Sequence, residues 1–235
     1  MTQTTRVRSL SSANLSEQVS EMFHQVKPKL RGWIHLATAP LALAAGIVLI
    51  TLTPTVAGKL SVVVFAFSTV LLFGHSAVYH RGTWSPRAAA ILRRMDHANI
   101  FLLIAGTYTP LSVILLDYST ATLVLSVVWI GALVGIALRL LWLRAPRWLY
   151  VPLYIALGWV AVAFLRDFWT AGGPAVFWLV LSGGIAYTVG AIVYGTRWPD
   201  PAPRWFGFHE IFHLCTVGGY VCHCIAVFMA AVSLW

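Results

Sequence analysis

Charged side chains are scarce in this chain of 235 residues: they make up 10% of it, whereas 59% of the residues are apolar and the mean hydropathy is +0.80. This composition is typical of an integral membrane protein and excludes an ordinary soluble domain. Cysteine is also scarce, and the 3 cysteines lie in the last apolar segment, so we expect no extracellular disulfide framework. The polar N-terminus lacks a long apolar core, so we expect no cleavable signal peptide.

Long apolar runs dominate the rest of the chain. A helix that crosses a membrane needs about 20 mostly apolar residues. Seven segments meet this requirement: 34–53, 60–80, 96–116, 120–142, 148–166, 174–195 and 209–232. The connections carry helix-breaking residues, such as Thr53-Pro54 and Gly172-Gly173-Pro174. The sequence therefore predicts an all-α, multi-pass protein of the cell membrane, with one seven-transmembrane helix bundle over residues 33–235.

Acidic residues are few, 7 against 16 basic ones, and the net charge of +9 raises the question of a nucleic-acid partner. The positions of the basic residues argue against it. With the seven spans, fourteen basic residues fall on one side of the membrane and only Lys59 and Arg166 fall on the other. Positive charge marks the cytoplasmic side. We therefore predict a cytoplasmic N-terminus, an external C-terminus and no nucleic-acid partner, the charge facing anionic lipid headgroups.

The segment before the first span, residues 1–32, contains NLSEQVSEMFHQVK. Asn14 and Glu17 have the spacing of a reciprocal helix cap, and apolar residues recur at helical spacing after them. We predict a short amphipathic helix on the cytoplasmic membrane face; a disordered tail is the alternative.

Histidines and an aspartate occur at the ends of three predicted spans. Ser76 and His80 lie at the cytoplasmic end of the second span, Asp96 begins the third, and His209 and His213 begin the seventh. The topology was assigned without these residues, yet it places all of them at one depth. Ionisable side chains are costly in a membrane and usually functional. We therefore expect them to form one site.

The spacing of these residues favours a metal. His209 and His213 are four residues apart, on one helix face, and His80 would complete a set of three imidazoles. Zinc held by three protein ligands keeps a fourth position for water, as in catalytic sites. Asp96 would then be the general base for that water, and Ser76, one turn before His80, would support a ligand or contact a substrate oxygen. The alternative is that these histidines bridge helices through hydrogen bonds.

The other histidines have different predicted roles. His223 lies about 20 Å deeper than His209, so we expect an interhelical hydrogen bond or a proton pathway. We expect His75 to serve packing, His97 to support Asp96 indirectly, and His35, which is level with the site, to pack there or support a ligand. Glu210 is interpreted as a helix-start charge, not as a base.

The three segments SAVYH, DHANIFLLIAGTYTP and HEIFHLCTVGGYVCH, in this order, resemble the bacterial hemolysin III proteins, which belong to the progestin and adipoQ receptor family. The resemblance extends over all the spans and implies seven membrane helices. It also implies zinc bound by His80, His209 and His213 at the cytoplasmic side, with Asp96 contacting water on the zinc and Ser76 in the family's SxxxH motif. One departure is that KLRGWIHLATAP, at the start of the first span, keeps His35 but lacks the acidic residue of many relatives.

The predicted function is a zinc-dependent hydrolase that cleaves an amide or ester bond of a membrane lipid. Receptor-branch relatives resemble ceramidases, and carrying that substrate to this chain is analogy alone. A second hypothesis is a sensor or regulator of membrane lipid state with a structural zinc. A third is a pore-forming, hemolysin-like protein, which is disfavoured because the spans have few charges to line a wide aqueous path.

Overall fold

A computed structural model describes residues 28–142 and 145–235, and these residues are helical, with no β-strand among them. The predicted amphipathic helix in residues 1–32 lies outside the described residues. The helices are α1 (Trp33–Leu52), α2 (Val56–Arg81), α3 (Pro86–Leu115), α4 (Tyr118–Leu141), α5 (Arg147–Gly158), α6 (Leu165–Thr196) and α7 (Phe208–Val232), with a 3₁₀ helix at Trp159–Phe164.

Six helical segments of the described residues are long and apolar enough to cross a membrane: α1, α2, α3, α4, the continuous run Arg147–Thr196, and α7. Their outward faces carry large apolar side chains, such as Leu41, Phe67 and Ile130, each exposed by more than half. Inward-facing hydroxyls bond to their own helix; Thr107 Oγ1, for example, donates to the Leu103 carbonyl at 2.9 Å. Such local bonding satisfies polar groups where water is absent. The protein is an all-helical, multi-pass membrane protein.

The run Arg147–Thr196 folds back on itself. Its 50 residues would extend about 75 Å as one helix, more than twice the ~30 Å hydrocarbon thickness of a bilayer. Gly173 interrupts it with φ 73° and ψ 178°, a conformation that suits glycine, within the predicted Gly172-Gly173-Pro174 break. Arg147 Nη1 donates to the Tyr194 carbonyl at 3.1 Å, so the ends of the run lie side by side. The run therefore consists of two antiparallel arms.

The 3₁₀ helix between α5 and α6 has a specific partner. The Tyr108 hydroxyl donates to the Gly158 carbonyl at 2.8 Å and accepts from the Ala161 N–H at 2.6 Å. One side chain of α3 thus supplies both a donor and an acceptor where the backbone changes its helix type. The predicted span 148–166 is therefore not a regular α-helix throughout.

Helix α3 begins ten residues before the predicted span 96–116. The Ser85 hydroxyl accepts the Ala88 N–H at 3.3 Å, and Pro86 occupies the first turn, two features that favour a helix start. The turns of α3 before residue 96 contain Arg87, Arg93 and Arg94. Because these residues are charged, a span predicted from hydropathy leaves those turns out.

Several contacts tie the bundle together at its two ends. The N–H groups of Lys29 and Leu30 donate to the carbonyls of Arg204 and Trp205 at 3.1 and 3.3 Å, which joins the entry to α1 to the α6–α7 connection. At the opposite end, Trp235 Nε1 donates to the Leu52 carbonyl at 3.0 Å. The end of α2 and the starts of α1, α3 and α7 meet at the first of these ends, which we call the site end.

Candidate metal centre

Three imidazoles converge at the site end. His80 comes from the last turn of α2, and His209 and His213 come from the first two turns of α7. Their candidate ligand atoms all lie within 4.8 Å of one another, and the Nε2 atoms of His80 and His209 are 3.3 Å apart. The three side chains are almost wholly removed from solvent. The three histidines that the sequence singles out therefore lie together, in a group that could hold a metal ion.

A fourth imidazole, His35 of α1, packs against the group. Its ring stacks on that of His213 with centroids 3.8 Å apart and an interplanar angle of 15°, and its edge meets Phe73 at 5.0 Å. His35 is 2% exposed, yet neither ring nitrogen has a hydrogen-bond partner among the described residues. The sequence placed His35 at this depth but did not predict the stacking.

Gly32 allows the start of α1 to approach the group. It has φ +82°, and a Cβ atom built on it would lie 2.7 Å from the Cβ of His80. Only a residue without a side chain combines this backbone conformation with so short an approach. Gly32 therefore positions the entry to α1, and with it His35, next to α2.

Asp96 and Ser76 lie beside His80, as predicted. The Asp96 Oδ2 atom is 3.6 Å from His80 Nε2. Ser76 is one turn before His80, is 2% exposed, and its side chain interacts with the Asp96 carboxylate. The structure thus places the carboxylate at the edge of the imidazole group, next to a nitrogen that would face an ion.

Glu210 holds the start of α7 in place. Its side chain is fully buried; one carboxylate oxygen accepts the Gly207 N–H at 2.8 Å, and the other forms a short ion pair with Arg31 Nε. The first bond belongs to a capping box, in which an acidic residue in the third helical position satisfies a free backbone N–H. Glu210 is therefore a helix-start charge, as predicted. The ion pair with Arg31 was not predicted.

Three other histidines of the described residues bond to partners outside the group. His97 Nδ1 accepts from Arg139 Nη2 at 2.6 Å, and its Nε2 lies 3.2 Å from the Tyr194 hydroxyl. His75 Nε2 bonds to the Leu92 carbonyl at 2.9 Å, which links α2 to α3. His223 Nε2 bonds to the Val180 carbonyl of α6 at 3.0 Å, and this confirms its predicted interhelical hydrogen bond.

The imidazole group lies between two spaces of opposite character. An open polar cleft reaches His80 and His209 from the site end, and the side chains of Arg31, Arg93 and Arg147 contribute to its lining. On the other side lies an apolar cavity between α3, α5, α6 and α7. Its wall nearest the site end contains Tyr194 and Phe212, whose rings contact His209. Its wall farther from the site end contains His223. The cleft therefore reaches the group directly, whereas the cavity is lined by residues that contact His209.

Comparisons with known proteins agree with this architecture. A family model described as haemolysin-III related matches residues 23–224. Hemolysin-3 of Bacillus cereus is 31% identical over 209 residues, which cover 87% of this chain and 92% of the relative. A hemolysin-3 homolog of Bacillus subtilis is 31% identical over 159 residues, 68% of this chain and 71% of the relative. The heptahelical transmembrane protein ADIPOR2 of rice is 32% identical over 158 residues, 61% and 69% of the two chains.

Proposed function

The chain belongs to the haemolysin-III-related family of membrane proteins, and from this premise we propose that it is a zinc-dependent hydrolase of an amide or ester bond in a membrane lipid. The main support for this proposal is the group of three imidazoles, whose ligand atoms lie within 4.8 Å of one another and which has a carboxylate at its edge. The polar cleft and the apolar cavity on either side of the group fit a substrate with a polar linkage and an apolar chain.

We propose further that the bundle crosses the membrane seven times, with the site end in the cytoplasm and the C-terminus outside. Two antiparallel arms in Arg147–Thr196 support two crossings there, and a relative is described as heptahelical. The strong bias of basic residues toward the site end supports the orientation.

The spacing of one nitrogen pair in the group supports zinc. Two nitrogens bound to a tetrahedral zinc ion at about 2.0–2.1 Å would be ~3.3 Å apart, and the Nε2 atoms of His80 and His209 are 3.3 Å apart. His213 brings a third imidazole, whose Nδ1 has no partner among the described residues. Zinc with three protein ligands, when bound, polarises a carbonyl and lowers the pKa of a coordinated water toward 7.

The side chains around the group supply the remaining chemistry. We assign Asp96 the role of general base. It takes a proton from water as the water oxygen adds to the lipid carbonyl, and it returns that proton to the nitrogen or oxygen of the leaving group as the bond to that group breaks. Ser76, beside the carboxylate, orients it. The cleft admits water, and the cavity holds the acyl chain away from it.

One observation favours a second candidate, a lipid sensor with structural zinc. Structural zinc sites are closed by four side chains, and His35 brings a fourth buried imidazole with unpaired nitrogens to the group. In a sensor of this kind, Asp96 would have no catalytic role.

Two substitutions in the purified protein separate these functions. If the site is catalytic, Asp96→Ala keeps zinc and abolishes hydrolysis, whereas His213→Ala loses both. The measurements are zinc content and a comparison of lipids in membranes from cells that carry each variant. Bound zinc without any lipid change between wild type and Asp96→Ala would favour the sensor. Ion flux in liposomes that survives both substitutions would instead indicate a pore.

A further inference from the structure

Two aromatic rings deep in the bundle are held by reciprocal packing between α6 and α7. A Cβ atom at Gly183 of α6 would lie 2.4 Å from the ring of His223 on α7, and a Cβ atom at Gly219 of α7 would lie 2.8 Å from the ring of Tyr187 on α6. In each helix the glycine precedes the ring by four residues, so both lie on one face. Each ring thus occupies the space that a glycine leaves on the opposite helix.

The two rings are neighbours, with centroids 5.4 Å apart and planes inclined by 59°. Both residues also line the apolar cavity. The reciprocal packing fixes their positions, and a site built from fixed side chains loses little conformational entropy when it binds a ligand.

Each ring presents a polar atom that has no partner. His223 Nδ1 and Tyr187 Oη are shielded from solvent and form no hydrogen bond with any described residue. The other polar side chains of the cavity wall are satisfied; Trp159 Nε1, for example, donates to Thr188 Oγ1 at 2.8 Å, and the Thr216 hydroxyl donates to the Phe212 carbonyl at 2.8 Å. Buried polar atoms without partners are rare and costly, so this pair calls for a ligand.

The hydrogen bond of His223 defines what that ligand must offer. Because a carbonyl oxygen only accepts, the 3.0 Å bond to Val180 requires a proton on His223 Nε2. In the neutral ring Nδ1 is therefore an acceptor, whereas Tyr187 Oη has a proton to donate. A single hydroxyl group has the chemistry to satisfy both, since it can donate to Nδ1 and accept from Oη. A plain hydrocarbon chain satisfies neither.

We propose that His223 and Tyr187 form a binding site for a hydroxyl group carried in the middle of an acyl chain. His223 follows His213 by ten residues, so the hydroxyl site lies about 15 Å along α7 from the imidazole group. An acyl chain that begins at the imidazole group would bring a mid-chain hydroxyl to this depth. The inference rests on the lipid-binding part of the proposed function and does not require hydrolysis.

Binding of two matched fatty acids to the purified full-length protein in detergent tests the proposal. The probes are stearate and a stearate with a mid-chain hydroxyl. We expect the wild type to bind the hydroxylated probe about tenfold more tightly, which corresponds to one net hydrogen bond in an apolar site. Tyr187→Phe, which removes only an oxygen atom, should abolish this preference and leave stearate binding unchanged. Tyr118→Phe, at an exposed residue outside the cavity, should keep the preference.

Three outcomes would overturn the hydroxyl site. Equal affinity of the wild type for both probes would mean that an ordered water satisfies the two atoms, while the apolar cavity still binds lipid. A preference that survives Tyr187→Phe would place the hydroxyl elsewhere. Failure of both probes to bind would remove the lipid-binding premise as well, and this result is distinct from loss of the hydroxyl preference alone.

Discussion

The imidazoles of His35 and His213 stack face to face, with centroids 3.8 Å apart and planes inclined by 15°. One ring belongs to a candidate metal ligand, and the other comes from α1. In a parallel stack the nitrogens of the two rings lie side by side instead of pointing at one centre. This geometry favours a positioning role for His35, in which it fixes the plane of the His213 ring, over the role of a fourth ligand that a structural zinc site would need.

Substitution of His35 tests that role. His35→Phe keeps a flat ring against His213 and removes both nitrogens, so the protein should retain its zinc. His35→Ala removes the stacking partner and should weaken zinc binding by about 10–100-fold, the usual effect of losing a residue that orients a ligand. Zinc affinity is measured by competition with a chelator. Loss of zinc in His35→Phe to the same extent as in His213→Ala would show that His35 is itself a ligand.

The ion pair between Arg31 and Glu210 should be a major source of stability at the site end. The Glu210 side chain is fully buried and that of Arg31 is 19% exposed. Glu210→Ala would leave a partly buried guanidinium and the Gly207 N–H without an acceptor, so the free energy of unfolding should fall by about 2–4 kcal/mol. Thermal unfolding in detergent measures this loss.

The control for Glu210 is Asp167→Ala, which removes an exposed acidic residue from the first turn of α6. A surface substitution of this kind should change stability by no more than about 0.5 kcal/mol. The double variant Arg31→Leu with Glu210→Leu should lose less than the sum of its single variants, because it leaves no unpaired charge. Equal losses in Glu210→Ala and Asp167→Ala would contradict the structural role of the pair.

Two adjacent glycines of α6 should respond oppositely to alanine. A methyl group at Gly183 would meet the His223 ring, and displacing that ring should cost about 1–3 kcal/mol of stability. A methyl group at Gly184 would meet no atom within 4 Å, so Gly184→Ala should be neutral or stabilise the helix by up to about 1 kcal/mol. Unfolding measurements on the two variants test this difference. Similar losses of stability in both would argue against the tight packing of His223 on α6.

The orientation of the bundle can be tested by cysteine labelling of intact cells. In a protein whose 3 natural cysteines are replaced, Tyr118→Cys at the start of α4 should react with a membrane-impermeant thiol reagent, because the proposed topology places the α3–α4 connection outside. Arg87→Cys at the start of α3 should react only after the cells are permeabilised, because the same topology places the α2–α3 connection in the cytoplasm. The reverse pattern would place the imidazole group at the external face.

The meeting of the three histidines at one end of the bundle could be predicted from sequence because several features agreed. The apolar runs predicted which helix ends share a side, the bias of basic residues predicted the same pairing of ends, and the four-residue spacing of His209 and His213 predicted a common face. These are local patterns, or counts over the whole chain. They bring His80 and Asp96 to the same level without any knowledge of how the helices are arranged around the bundle axis.

The lateral contacts of the site could not be predicted in this way. Arg31 is separated from Glu210 by 179 residues. In the sequence, Arg31 contributes only to the charge bias that predicts the topology. Arg139 likewise counted as a topology charge, whereas in the bundle it is buried and donates to His97. Depth follows from hydropathy, but the direction in which each side chain points depends on how the helices pack.

Metal analysis combined with X-ray absorption spectroscopy of the purified protein tests the central claim most directly. We expect one zinc ion per chain, bound by three imidazole nitrogens and one oxygen at about 2.0–2.1 Å, and loss of that ion in His80→Ala. A wild-type protein that contains no zinc, or one whose zinc is bound by sulfur from the cysteines of α7, would contradict the account.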